Sequence, residues 1–115
     1  MPKINIKVKV NDEIANFYKA IYQEEKSLLT YRDENNTLVK FNYKEHILIR
    51  ENEEIKMEYK FIKNANSIGK IFIKDLNKDI YLDIKTIFFQ IKNQNLNIKY
   101  NIEQEEFSYI VEVIE

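Results

Sequence analysis

Every second residue is apolar over most of this sequence. Ile4, Ile6, Val8 and Val10 alternate with Lys3, Lys7 and Lys9, and Ile55, Met57, Tyr59 and Phe61 alternate with Lys56, Glu58 and Lys60. The same period returns at Ile71 and Ile73, at Ile80, Leu82 and Ile84, at Leu96, Ile98, Tyr100 and Ile102, and at Phe107, Tyr109, Val111 and Val113. Successive side chains of a strand point to opposite faces, so each run has one apolar and one polar face. A chain built of such runs must turn its apolar faces toward one another. Polar turn candidates separate them: 33–36, 43–45, 51–54, 64–66, 77–79, 93–95 and 103–106. Turns every 8–14 residues or so predict an antiparallel meander that closes on itself or forms a sandwich. At 115 residues and 14.0 kDa the chain suits a single domain, 1–115.

The turns must be made almost without glycine. Gly69 and Pro2 are the only residues of their kinds, against fourteen Asn and nineteen Ile. Asn tolerates positive φ better than most residues, so Asn, Asp and Glu are expected to write the turns. One glycine also excludes a Gly-rich phosphate loop. The absence of Cys excludes disulfides, thiolate metal sites and cysteine nucleophiles. A formal charge of −1, from 18 Lys and Arg against 19 Asp and Glu, offers no general field for a phosphate backbone, so no nucleic-acid partner is expected. Aromatics interleaved with lysine on a sheet face can stack bases, but the lysines here are matched by carboxylates. No apolar run nears the roughly 18–20 residues of a membrane span, and MPKINIKVKV lacks a signal-peptide block. No membrane association and a cytoplasmic address are the expectations.

Residues 12–26 resist the strand reading. Ile14, Phe17, Tyr18, Ile21 and Tyr22 follow helical spacing, Asn11 is placed to cap a helix, and Asp12 and Glu13 suit its first turn. Local pattern alone predicts a helix there.

From residue 28 onward the chain resembles the YwiB-like family, small bacterial β-barrels grouped with the calycins and without an assigned function. The resemblance rests on LLTYRDE (28–34), TLVKF (37–41), ILIRENEEIKMEYKF (47–61), KNANSIGKIFIKDLNKDIYLDIKT (63–86), LNIKYNI (96–102) and FSYIVEVI (107–114). Tyr31, Arg50, Met57, Phe61, Thr86 and Tyr100 match its pattern, while Asn52 or Glu53, Asn77 and Ala20 stand where it has glycine. The resemblance implies an all-β, single antiparallel, calycin- or lipocalin-like barrel of about 8–10 strands, closed or nearly so. It also implies that residues 14–22 are strand. We follow it there, because a barrel must complete its sheet and tertiary context overrides local pattern.

The candidate chemistry is sparse. His46 is the lone histidine, and Ser27, Ser67 and Ser108 lack a nucleophile-elbow context, so no catalytic residue is assigned. The carboxylates cluster in turns without metal-ligand spacing, so neither metal nor cofactor is expected. A calycin resemblance implies a small amphipathic or anionic ligand at the barrel mouth. An empty pocket of about 300 Å³ costs on the order of 7 kcal/mol, against a total stability of about 5–15 kcal/mol. A mostly filled barrel with a shallow polar mouth is therefore expected. The candidate ligand-binding residues are Arg50, Tyr31, Tyr59 and His46. Arg50 offers a bidentate clamp for a carboxylate or phosphate, and tyrosine offers an apolar body with a polar tip. Against the clamp stands a plain surface pair of Arg50 with Glu51 or Glu54, worth little. That pairing is the commoner fate of such a residue and the reading favoured here. The other functional reading is a structural or interaction protein that uses a strand edge, an exposed aromatic face or a homodimer.

Overall fold

The computed structural model describes residues 3–25, 27–33 and 35–114, and for residues 15–25 the backbone alone. Ten strands follow in chain order: β1 (Lys3–Val10), β2 (Glu13–Glu25), β3 (Leu28–Arg32), β4 (Leu38–Asn42), β5 (Ile47–Glu51), β6 (Ile55–Lys60), β7 (Asn66–Ile73), β8 (Lys78–Lys92), β9 (Asn95–Ile102) and β10 (Glu105–Val113). Each pairs antiparallel with its chain neighbour, and β1 pairs with β10, which closes the barrel. Closure leaves an all-β antiparallel fold whose interior is lined by the alternating apolar residues.

Two strands are longer than the others and serve both halves of the barrel. β8 pairs through Lys78–Lys85 with β7 and through Lys85–Lys92 with β9. A register shift between Thr86 and Phe88 lets the second half change parity, so Ile84 and Thr86 are buried before it and Phe89 after it. β2 pairs with β1 from Glu13 to Ile21 and with β3 from Tyr22 to Glu25. The helical stripe of residues 12–26 is thus overridden, and the strand expected at 14–22 is observed. A helix there would leave one edge of β1 and one edge of β3 without a partner for their backbone groups.

Turn chemistry follows the sequence. Among the described residues, eleven other than glycine take positive φ, including Asn11, Asn36, Asn64, Asn77 and Asn93, and Gly69 does not. Asn77, where the family pattern has glycine, takes a φ of 48°. The hairpin tips Asn11–Asp12, Asn93–Gln94 and Glu103–Gln104 each place two successive residues at positive φ, matching the right-handed twist of the strands. Asn52 shapes the β5–β6 turn differently: its Oδ1 accepts from the backbone N–H groups of Glu54 and Ile55 at 2.8 and 2.9 Å.

The core joins residues from both halves, including Ile4, Ile6, Leu29, Phe41, Leu48, Phe61, Ile84, Ile98, Tyr109 and Val111, all essentially without solvent contact.

Candidate binding site

Strand register decides which side chains meet inside. Pairing aligns Tyr31, Val39, Arg50, Met57, Ile71 and Ile80 in one inward-facing row across β3–β8. The next row, one step deeper, is Leu29, Phe41, Leu48, Tyr59, Gly69 and Leu82. Burial along the first row falls steadily. Tyr31 and Val39 are buried, Arg50, Met57 and Ile71 are half-buried, and Ile80 is 39% exposed. In the deeper row Leu82 is also half-buried. The inward-facing apolar residues are thus least covered over β6–β8, which is the candidate place for an entrance. The β3–β4, β5–β6 and β7–β8 connections lie at this end of the barrel.

Arg50 is turned toward the barrel interior, not out to the surface. It shares its face with Leu48, which is buried, and its guanidinium carbon lies 5.9 Å from the ring centroid of Tyr109 on β10. The favoured pairing of Arg50 with Glu51 or Glu54 is therefore corrected. Glu51 has the opposite parity and pairs with Lys74 at 3.0 Å. That contact, first through its hydrogen bond, holds the Glu51 carboxyl below its ordinary value.

Among the described side chains, four tyrosines form a polar layer around Arg50. The hydroxyls of Tyr31 and Tyr109 share a hydrogen bond of 2.5 Å. Tyr59 and Tyr100 meet edge to face, with ring centroids 6.1 Å apart. Burial pushes both of their phenols up, and the nearby Arg50 charge works in the opposite direction. At neutral pH these hydroxyls are therefore uncharged and able to donate. The described members of the layer come from β3, β5, β6, β9 and β10.

Gly69 makes room for this arrangement. A Cβ there would lie 2.7 Å from Cδ1 of Tyr59 and 2.8 Å from Cδ1 of Ile84. Glycine is needed at this position for close approach of the Tyr59 ring, since its φ is not positive.

His46 does not join the layer. It sits in the turn before β5, four residues from Arg50 and so about 13 Å away along the strand. Its ring lies 4.4 Å from that of Phe89, and Phe89 lies 6.5 Å from Phe61. Tyr43 adds a hydrogen bond from its hydroxyl to the Gln94 carbonyl at 3.0 Å. These contacts plug the end opposite Arg50. The structure thus brings together Arg50, Tyr31 and Tyr59, leaves His46 out, and adds Tyr100 and Tyr109, which were expected in strands but not as members of a site.

A hollow of about 710 Å³ lies on the rim by the β3–β4 and β5–β6 turns, among Arg32, Lys74, Glu51, Glu53 and Glu54. Three carboxylates face two cations there, and Lys74 is engaged by Glu51 and by the Asn52 carbonyl at 2.7 Å. It is a poor anion site. Among the described residues no three His, Asp or Glu side chains gather as metal ligands.

A scan against protein-family models finds no match, and a comparison with curated proteins finds none either. Among solved structures, the chain is similar to the crystal structure of the YwiB protein from Bacillus subtilis, with a TM-score of 0.64 and 16% sequence identity over 99% of this chain and 92% of that one. At that identity the likeness is one of fold, and it extends over nearly the full length of both chains.

Proposed function

We propose that this protein is a non-enzymatic binding module that holds a small amphipathic anion in the open end of a calycin-type barrel. One observation carries the reading: the half-buried Arg50 faces the interior, among the described tyrosines Tyr31, Tyr59, Tyr100 and Tyr109, in one row with the partly open Met57, Ile71 and Ile80. A guanidinium in a partly desolvated setting binds an anionic group more strongly than a surface lysine does. The apolar wall beside it suits a hydrocarbon body. Against acid–base catalysis stand the Tyr59 and Tyr100 phenols, which burial pushes up, and the place of His46 at the far end.

Native mass spectrometry of the protein isolated without denaturation tests this. A retained small-molecule adduct that is absent from Arg50→Gln supports the reading. An adduct-free monomer that also ignores added amphipathic anions refutes it. The outer face of β7 and β8 favours a second reading, assembly into a homodimer, since Ile68 and Tyr81 are 63% and 65% exposed there. A concentration-dependent dimer lost in Tyr81→Lys would favour that instead.

A further inference from the structure

We infer that the outer face of β6, β7 and β8 is a two-fold contact with a second copy of this chain, the axis running along β7. This deepens the assembly reading given above and rests on it. None of the residues involved belongs to the Arg50 layer.

Register lays the face out in three rows across the three strands. The first is Lys56, Phe72 and Asp79, and the second is Glu58, Lys70 and Tyr81. In the third, Asp83 lies opposite Ile68, and Lys60, one step beyond the Tyr59–Gly69 pair, stands level with them on β6. All nine have the parity opposite to Tyr59, Gly69 and Ile84, which are buried, so they point outward. Ile68 and Tyr81 are exposed and Phe72 is half-buried. The face therefore carries a cation at each corner on β6, a carboxylate at each corner on β8 and an apolar middle at Ile68 and Phe72.

Charge selects the occupant. Among the described residues, Lys56, Lys60, Asp79 and Asp83 have no opposite charge of their own chain within ion-pair distance. A two-fold axis along β7 sends β6 of one copy over β8 of the other and keeps each row level. Lys56 then meets Asp79 of the second copy, and Lys60 meets its Asp83, each twice. Tyr81 comes over Glu58 and can donate to it, while Ile68 and Phe72 meet their own copies on the axis. The two Lys70 side chains also meet there, each offset by the Glu58 opposite it in its own sheet. The alternative two-fold, across the strands, sets Asp79 on Asp83 and Lys56 on Lys60, and like charges exclude it.

The magnitude points to a weak dimer. Three strands and three rows cover about 15 Å each way, well short of the roughly 800 Å² per partner of a stable interface. The outer face of a barrel is convex, so the long lysines of β6 bridge the gap that curvature leaves on either side. Such exposed pairs are screened, and the dimer loosens as salt rises.

Sedimentation velocity on the unaltered protein at low salt, up to about 500 µM, is expected to show a dimer that weakens with added salt. Asp79→Lys/Asp83→Lys and Lys56→Glu/Lys60→Glu each set like charges together and are expected to weaken it about a hundredfold or more. The variant carrying all four changes keeps the parent's net charge and restores every pair with its signs exchanged, so it is expected to dimerise as the parent does. An Ile68→Cys variant, in a chain without cysteine, is expected to be joined to its own copy by a short bismaleimide, whereas Lys9→Cys on β1 is not. A dimer that persists in either folded double variant, or a folded four-change variant that stays monomeric, overturns this geometry and moves the assembly reading to another surface. Should a double variant not fold, the cysteine pair decides, and failure of Ile68→Cys to join overturns the inference. A parent that is monomeric throughout the range refutes the inference and the assembly reading together.

Discussion

Gly69→Ala probes the packing on which the polar layer stands. In most strand interiors this change stabilises, because alanine loses less backbone entropy on folding, by about 0.5–1 kcal/mol. Here the new Cβ meets Cδ1 of Tyr59 at 2.7 Å, its Cε1 at 3.0 Å and Cδ1 of Ile84 at 2.8 Å. The Ile84 methyl is the end of a flexible side chain and moves cheaply. The Tyr59 ring is not free to do so, since it is buried and meets Tyr100 edge to face. Overpacking of this kind costs about 1–3 kcal/mol. The balance is a net loss of about 1–2 kcal/mol, which for a domain of this size lowers the melting temperature by about 3–5 °C per kcal/mol. Thermal unfolding followed by circular dichroism measures it. A double-mutant cycle sharpens the test. Ile84→Val alone costs about 0.5–1.5 kcal/mol. In the Gly69→Ala background the cost falls, because the methyl removed is one of the two obstructions, and the coupling reaches about 0.5 kcal/mol or more. A Gly69→Ala variant as stable as the parent, or strictly additive effects, would falsify the view that the Tyr59 ring needs this glycine.

Two further outcomes follow from the interior. Thr86 is buried, and its Oγ1 has no hydrogen-bond partner among the described residues, so Thr86→Val is expected to stabilise by about 1–2 kcal/mol in urea denaturation; a loss of stability would mean that the hydroxyl is satisfied in solution. The raised phenols of Tyr59 and Tyr100 keep their protons in the folded state beyond the pH at which the unfolded chain, with tyrosine near 10, gives them up. Their contribution is therefore whole below about pH 9 and is lost as pH rises above 10, at up to about 1.4 kcal/mol per pH unit for each group. Urea midpoints between pH 8 and 11 should fall more shallowly for Tyr100→Phe than for the parent, and parallel slopes would contradict the shift.

The strands were legible because their period of two survives even in a composition weighted toward Ile, Asn and Lys. Where the pattern misled, a long-range contact decided. Ile14, Phe17, Tyr18, Ile21 and Tyr22 fit a helix by local spacing, yet the ladders with β1 and β3 hold their backbone extended. The run Ile87-Phe88-Phe89 had no readable period because a register shift falls within it and exchanges the two faces. Within the site, the inward parity of Arg50 was already present in the alternation, since it shares a face with Leu48; the neighbouring carboxylates suggested a surface pair that the opposite parity of Glu51 prevents. Tyr109 and Tyr100 could not be assigned to Arg50 from sequence. They reach it across the barrel, and which residues meet across a barrel depends on closure and stagger, to which local pattern is blind. His46 was grouped with Arg50 because strand parity says nothing of position along the strand.

The two ends of the barrel solve the same packing problem in opposite ways, and the contrast bears on function. At the His46 end sit edge-to-face and tilted rings, and the Tyr43 hydroxyl donates to the Gln94 backbone carbonyl in the β8–β9 hairpin. This is how a barrel is closed for stability alone. At the Arg50 end the inward positions hold a guanidinium, a layer of phenols and aliphatic residues that are partly exposed. An end built only for stability would fill those positions with apolar side chains, since a buried charge is at best neutral in energy against a well-packed hydrophobic substitute. Polar groups gathered under an apolar entrance become favourable when something with a complementary head and body occupies it. An assembly role through the outer face of β7 and β8 leaves the interior arrangement unexplained, because Ile68 and Tyr81 point away from it. For that reason binding ranks ahead of assembly.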